Sequence, residues 1–304
     1  MQRNTAPTLA NSPRATSLQP LIINGDDFGY SPAVNQAILQ AHRRGILTSA
    51  SLMVNEAAAT EAVEIARAHS SLAVGLHLSL VLGKSTLAQA QIPHLVDRAG
   101  NFSRSPFLAG LKYFFHPAAR RELRSEMRAQ FERFATTGLR LSHVDGHNHL
   151  HMHPVVFREL LNLCEEFDVR RVRIVTGQRW PHFRITRRNL AANTILSLVF
   201  GRLGAHCRRQ VAGRDFLVPR VVHGLLQSGR LTESYLIELV SLLEGGGGEI
   251  YLHPRTAEAS EAERLDNPGG ELELAALLSP RLRGAIEAHG FRLASYETYL
   301  SDTY

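Results

Sequence analysis

The sequence predicts an α/β fold built from parallel βα units, and a (β/α) barrel before a doubly wound sheet. Three observations carry this. Short β-branched or apolar runs alternate with amphipathic helical stretches from residue 21 onward, the pattern of strands joined by crossover helices. Roughly seven or eight such units fit the chain, which favours a barrel. The chemically unusual residues fall at the carboxyl ends of the predicted strands, where such folds gather their sites.

The elements follow in order. Residues 1–20, with Arg3 and Arg14 among Thr, Ser, Asn, Pro and Ala, hold no apolar run and read as a disordered tail. LIIN (21–24) reads as a buried strand. Ser31 as N-cap, Pro32 in the first turn and Gly45 as C-cap frame a helix over 32–44. ILTSASLMV (46–54) is a second strand, the Ala-rich 56–68 a second helix, and LAVGLHLSL (72–80) a third strand. Residues 83–116, with Gly, Pro and scattered aromatics, read as a long irregular insertion, a length that usually means a functional loop. A helix over 117–137 ends at Gly138. LSHVD (141–145) is strand-like, 154–167 helical, and RVRIV (171–175) another strand. EIYLH (249–253) follows a Gly245–Gly248 turn, and FRLAS (291–295) is the last strand. The expected organisation is therefore one domain over 21–304, carrying the 83–116 insertion and a basic helical segment over 178–230.

Composition narrows the class. With 44% apolar and 20% charged residues the chain is globular. It lacks both a secretory signal and the ~20 uninterrupted apolar residues of a spanning helix. Cys164 and Cys207 are its only cysteines, so a reducing cytoplasm is the expected location. The net charge of +6 is concentrated: residues 178–230 hold ten Arg, no Lys and one acid, Asp215. Within them RITRRNLAANTILSLVFGRLGAH (184–206) mixes Arg with Leu, Ile, Val and Phe. Such a stretch either lies on the inner face of an anionic membrane or packs as an ordinary helix with its Arg in water. A nucleic-acid partner is not expected, because no recognition motif is present and the aromatics do not interleave with the Arg.

The chemistry concentrates in a few places. The first strand ends in Asn24-Gly25-Asp26-Asp27-Phe28-Gly29. Two adjacent carboxylates raise one pKa unless a cation intervenes, so one Asp as metal ligand and the other as base is the functional reading. One Asp capping a turn is the plain alternative. Five of the fifteen histidines lie between His143 and His153, alternating along a predicted strand end and flanking Asp145. Imidazoles with a carboxylate suit Zn²⁺ before Mg²⁺, and three ligands with an open position mark a catalytic site. Not all five can ligate one ion, so the rest fall in supporting or substrate-facing positions. His77 in an apolar strand, His253 before Pro254, and Arg173 in a run of Arg are each ambiguous alone.

LIINGDDFGYS, GILTSASLMVN, AVGLHLSLVLG and HVDGHNHLHMHP, in that order, resemble the YdjC-like carbohydrate deacetylases of the glycoside hydrolase/deacetylase superfamily. That resemblance covers roughly residues 20–300 and implies a distorted TIM-like (β/α) barrel. It also implies Asp26 as general base, Asp27, His77 and His147 as ligands of one divalent ion (Zn²⁺ or Mg²⁺), His253 as general acid and Arg173 beside the base. Asp145, His149 and His151 would be supporting or substrate-binding residues. The stretch AQFERFATTGLRLSHVDGHNHLHMHP, with IPHLVDRAGNF before it, is similar to the hopanoid-biosynthesis-associated deacetylases, which act on an N-acetylglucosaminyl group attached to a hopanoid. TGQRWPHFRITRRN (176–189) holds no glutamate for the family's substrate-binding role. The expected reaction is metal-dependent removal of acetyl from a GlcNAc-type sugar, lipid-linked or a soluble chitooligosaccharide. A metal-dependent phosphoesterase and a non-catalytic metal- or lipid-binding barrel are the alternatives, and a homodimer is left open.

Overall fold

In the computed structural model, residues 18–176, 179–243 and 247–299 are described. Strand β1 (Gln19–Phe28) is the spine of a parallel sheet. One of its edges pairs with β6 (Gly248–Leu252). Its other edge is shared, with β7 (Phe291–Ala294) against Gln19–Ile22 and β2 (Ser49–Leu52) against Asn24–Phe28. The sheet continues through β3 (Ala73–Leu78) to β4 (Val144–Gly146), and on the far side from β6 to β5 (Val222–His223). Past β4, single parallel bridges join Val144 to Val172 and Arg171 to Leu217. The sheet thus curls into a half-barrel, and among the described residues the 171–217 side is held by isolated bridges, not by a regular strand. This corrects the expectation of a strand at RVRIV and stops short of a closed eight-stranded barrel.

Helices α1 (Pro32–Arg44), α2 (Ala59–Ala68), α3 (Pro106–Phe115), α4 (Pro117–Thr136) and α5 (Pro154–Glu166) follow the first four strands. After them come α6 (Arg179–Ile185), α7 (Leu190–Val211), α8 (Glu233–Leu242), α9 (Glu261–Asp266), α10 (Gly270–Leu277) and α11 (Pro280–Ala288). The Ser31 hydroxyl accepts from Val34 N at 3.3 Å, as the sequence predicts for an N-cap. Gly45 does end α1, but with φ −117°. Glycine is needed there because a Cβ would sit 2.3 Å from the Leu277 carbonyl oxygen.

Strands β2, β3 and β6 are buried along their whole length. One set of strand side chains is apolar, with Ile23, Ala50, Leu76 and Ile250 in one core, while buried polar residues such as Ser51, His77, Asp145 and Glu249 interrupt the strands. Two expectations change. Gln19 and Pro20 belong to β1, opposite Phe291 and Arg292, while residues 1–17 lie outside the described residues. The 83–116 insertion is irregular only in its first part, with short antiparallel bridges at Lys84–Asn101 and Val96–Phe102. Ser105 and Pro106 then start α3, the Ser105 hydroxyl accepting from Leu108 N. Part of the expected Gly245–Gly248 turn lies outside the described residues.

Candidate active site

The carboxyl end of β1 is bulged: its register against β2 shifts between Gly25 and Phe28, and Asp27 takes φ +62°. In a regular strand Asp26 and Asp27 would point to opposite faces. The extra residue and the left-handed Asp27, a conformation Asp tolerates better than most residues, turn both toward the cleft. The neighbouring strand ends complete the site. His77 lies near the end of β3 and Asp145 in β4, directly opposite each other across the ladder. After β4 the chain makes a 3-10 turn over 147–152, with Asn148 and His149 left-handed at φ 51° and 54°. This reversal carries His147 back over Asp27, so the histidines do not share a strand face as their alternation suggests.

Asp27 Oδ1 lies 2.9 Å from His147 Nδ1 and 3.3 Å from His77 Nε2. The other nitrogen of His77, Nδ1, donates to Asp145 Oδ1 at 2.7 Å. That carboxylate fixes the ring so that Nε2 faces Asp27, the support a ligating imidazole usually has. Asp27 and His147 are each 18% exposed, opening onto a cleft of about 960 Å³. A second cluster, Asp26–His77–Asp145, is wholly buried, and both of its carboxylates already accept from Arg173. The set Asp27, His77 and His147 therefore fits a divalent ion better: one oxygen, two nitrogens and an open side.

Electrostatics agree with that fit. Burial works against a charged His77, yet the charge and hydrogen bond of Asp145 outweigh it and push its pKa up to about 10. Burial likewise works against ionised Asp27, but the charge of His147 and the hydrogen bonds from His147 and His77 hold its carboxyl well below the usual range. The cluster thus has a strong appetite for positive charge, which an ion can supply in place of imidazole protons.

Asp26 belongs to a different network. Arg173 holds it with two hydrogen bonds of 2.7 and 2.8 Å, and Asn24 Nδ2 donates to its Oδ1 at 2.8 Å. The same guanidinium donates to Glu249 Oε1 from Nε and NH2 at 2.9 and 2.6 Å. It also lies 4.7 Å from the centre of the Tyr251 ring. Tyr296 donates from its hydroxyl to Glu249 Oε2. His253 Nε2 stands 3.9 Å from Asp26 Oδ2. Its backbone is fixed on both sides, N–H to Glu273 Oε2 at 2.6 Å and C=O to Asn267 Nδ2 at 2.7 Å. The two adjacent carboxylates are therefore divided, Asp27 facing the imidazole pair and Asp26 facing Arg173 and His253.

The remaining sequence candidates separate. Asp145 lies beneath His77 and is fully buried, supporting the site without reaching the cleft. His149 is buried against Tyr251, sharing a 2.7 Å hydrogen bond with its hydroxyl, and against Phe200. His151 donates from Nε2 to the Arg173 carbonyl at 3.0 Å. Both are buried behind the site and do not line the cleft. His143 stacks on Tyr296 at 3.8 Å and meets Ser51 Oγ, which donates to Asp145 at 2.8 Å. Sequence reading missed Glu249, Tyr296, Tyr251 and Ser51. Glu249 alone carried a signal, as a carboxylate inside an otherwise apolar strand, which needs a buried partner.

Fold and site together define an α/β protein with a curled parallel sheet and an Asp/His cluster suited to a divalent ion at its strand ends. The chain belongs to the YdjC-like family, whose model matches residues 20–288. Among curated relatives, a carbohydrate deacetylase of Brevibacillus brevis is 44% identical over 149 residues, 49% of this chain and 57% of that protein. One of Geobacillus stearothermophilus is 40% identical over 163 residues, 53% and 62%. The matched stretch thus spans less than two thirds of either relative. A carbohydrate deacetylase of Enterococcus faecalis is 29% identical over 93% of this chain and 98% of its own. The crystal structure of an Enterococcus faecalis V583 protein, assigned provisionally to cellobiose-phosphate cleavage, superposes with a TM-score of 0.71. It is 27% identical, over 92% of this chain and 98% of that one.

Proposed function

We propose that the protein is a metal-dependent N-deacetylase that removes acetyl from an N-acetylated amino sugar. In this reading residues 21–304 form one domain, a distorted (β/α) barrel. The observation that carries the reading is the division of Asp26 from Asp27, one carboxylate joined to two imidazoles and the other to a guanidinium, with the His253 imidazole 3.9 Å away. Similarity to proteins named carbohydrate deacetylase supports it.

Asp27, His77 and His147 would hold the ion, with Asp145 fixing His77. A divalent ion bound there supplies Lewis acidity, polarising the acetyl carbonyl and making water easier to deprotonate. Asp26 takes the proton of the attacking water as its oxygen bonds to the acetyl carbon. Arg173 keeps Asp26 aimed, since its bidentate guanidinium fixes the orientation of the carboxylate. His253 donates a proton to the sugar nitrogen as the C–N bond breaks. The products are acetate and a free amino sugar.

The finer reading is a GlcNAc group carried on a hopanoid, supported by the resemblance of residues 129–154 to that subgroup. Asp26→Asn tests the whole scheme. Acetate release should fall by about 10²–10⁴ with metal content unchanged, and activity surviving the substitution would remove Asp26 as base. Comparing a chitooligosaccharide with a GlcNAc-linked hopanoid as substrate separates the soluble reading from the lipid-linked one.

A further inference from the structure

We infer that α3 and the α6–α7 segment form a docking surface for an anionic phospholipid bilayer at the mouth of the cleft. The ten-residue α3 leaves Phe107 and Phe115 each 72% exposed, with Leu108, Leu111 and Phe114 also in solvent. Helix α7 buries its small residues, Ser197, Gly204 and Cys207. It exposes Leu190, Ile195, Leu198 and Val199, with Ile195 at 65%. Trp180 of α6 is exposed as well, and Arg184 lies 5.1 Å over its ring. Exposed apolar side chains in this number mark an interaction surface.

Both helices begin at the rim of the cleft. Phe102 and Arg104 line the cleft just before α3 begins, and Arg188 and Asn189 line it just before α7 begins. Helix α3 rests on His153, and α7 reaches His149 through Phe200. They therefore flank the turn that carries His147.

Charge selects the occupant. Between Asp97 and Glu122 the chain has Arg98, Arg104, Lys112, Arg120 and Arg121 and no acid. Residues 178–230 have ten Arg and a single acid. Apolar side chains set among cations match the acyl boundary and headgroups of an anionic lipid layer. A second copy of the chain would instead bring like charges face to face. Among the described residues no helix is long and apolar enough to cross a membrane, so the contact is peripheral. One consequence rests on the deacetylase reading: the substrate would be an acetylated amino sugar on a lipid tail, entering the cleft from the bilayer.

The test is co-sedimentation of the full chain with phosphatidylcholine vesicles made with and without phosphatidylglycerol. Binding should require phosphatidylglycerol and weaken as salt rises. Two exposed pairs, Phe107→Ser with Phe115→Ser and Arg187→Gln with Arg202→Gln, should each weaken it about tenfold or more. Thermal midpoints should not change. No vesicle binding, binding indifferent to lipid charge, or variants that bind like the wild type would overturn the inference. So would a dimer in light scattering that the Phe pair dissociates, since that assigns the face to a second copy. Acetate release from a soluble acetylated oligosaccharide should persist in both variants. Vesicle binding with no acetate release from either the soluble oligosaccharide or a GlcNAc-linked lipid would sink the deacetylase reading and leave the surface standing.

Discussion

Asp27 occupies a left-handed backbone position inside a strand, a conformation that persists only where surroundings over-determine it. Here the two imidazoles supply that constraint, and the residue-scale prediction concerns which histidines matter to the ion. His147→Ala should lose bound metal, whereas His149→Ala should retain it, because His149 is spent on Tyr251. Elemental analysis of the purified variants checks this, and equal metal loss in both would reassign the ligand set. A second residue reports on pH. His223 is buried in β5 with no hydrogen-bond partner for Nε2, and burial alone pushes its pKa down to about 4. Between that value and the unfolded value near 6.5 the unfolded chain binds a proton that the native state refuses. Stability therefore falls as pH drops through this window, by about 3 kcal/mol in total from this group. His223→Leu should flatten the dependence of unfolding free energy on pH by about 1.4 kcal/mol per unit near the middle of the window. Urea titrations at several pH values measure it, and an unchanged slope would refute the assignment.

Elements set the tolerances of the site. The His143 ring, just before β4, packs so closely over β3 that a Cβ on Gly75 would lie 2.4 Å from it. His143 in turn meets Ser51, and Ser51 holds Asp145 beneath His77. Gly75→Ala should thus cost about 1–3 kcal/mol through overpacking and also loosen the ion site, read as weaker metal affinity alongside a lower denaturation midpoint. A stability loss with unchanged affinity would show that the His143 network does not reach the ligands. Helix placement was largely legible in the sequence, because caps and prolines act locally: Ser31, Pro32, Pro117 and Pro154 all stand where helices begin. Helix α3 escaped detection because PFLAGLKYFF is apolar at nearly every position and offers no polar face to mark its turns, although it buries Ala109 and Tyr113 one turn apart.

At the scale of the molecule, the ion would tie together the ends of β1, β3 and β4, through Asp27, His77 and His147. Ligand that binds only the native state stabilises it by mass action, about 2.7 kcal/mol at hundredfold saturation. A chelator should then lower the thermal midpoint by roughly 5 °C or more for a chain of this size. Adding back a divalent ion should restore it, and His147→Ala should show no chelator effect. A midpoint indifferent to chelation in the wild type would argue that these three residues hold no ion.

Local signals determined the alternation of strands and helices, the capped helix starts, and the clustering of Asp and His at strand ends. Each depends on residues a few positions apart, and so survives in the linear chain. The tertiary structure decided the rest. It divided Asp26 from Asp27 through a β-bulge, and by a left-handed reversal it brought His147, of five nearby histidines, against Asp27. It set Glu249 and Tyr296 behind Arg173, although Asp26, Arg173 and Glu249 are far apart in sequence. Buried charges must find partners, but which partners meet depends on how the sheet curls, and no local pattern encodes that.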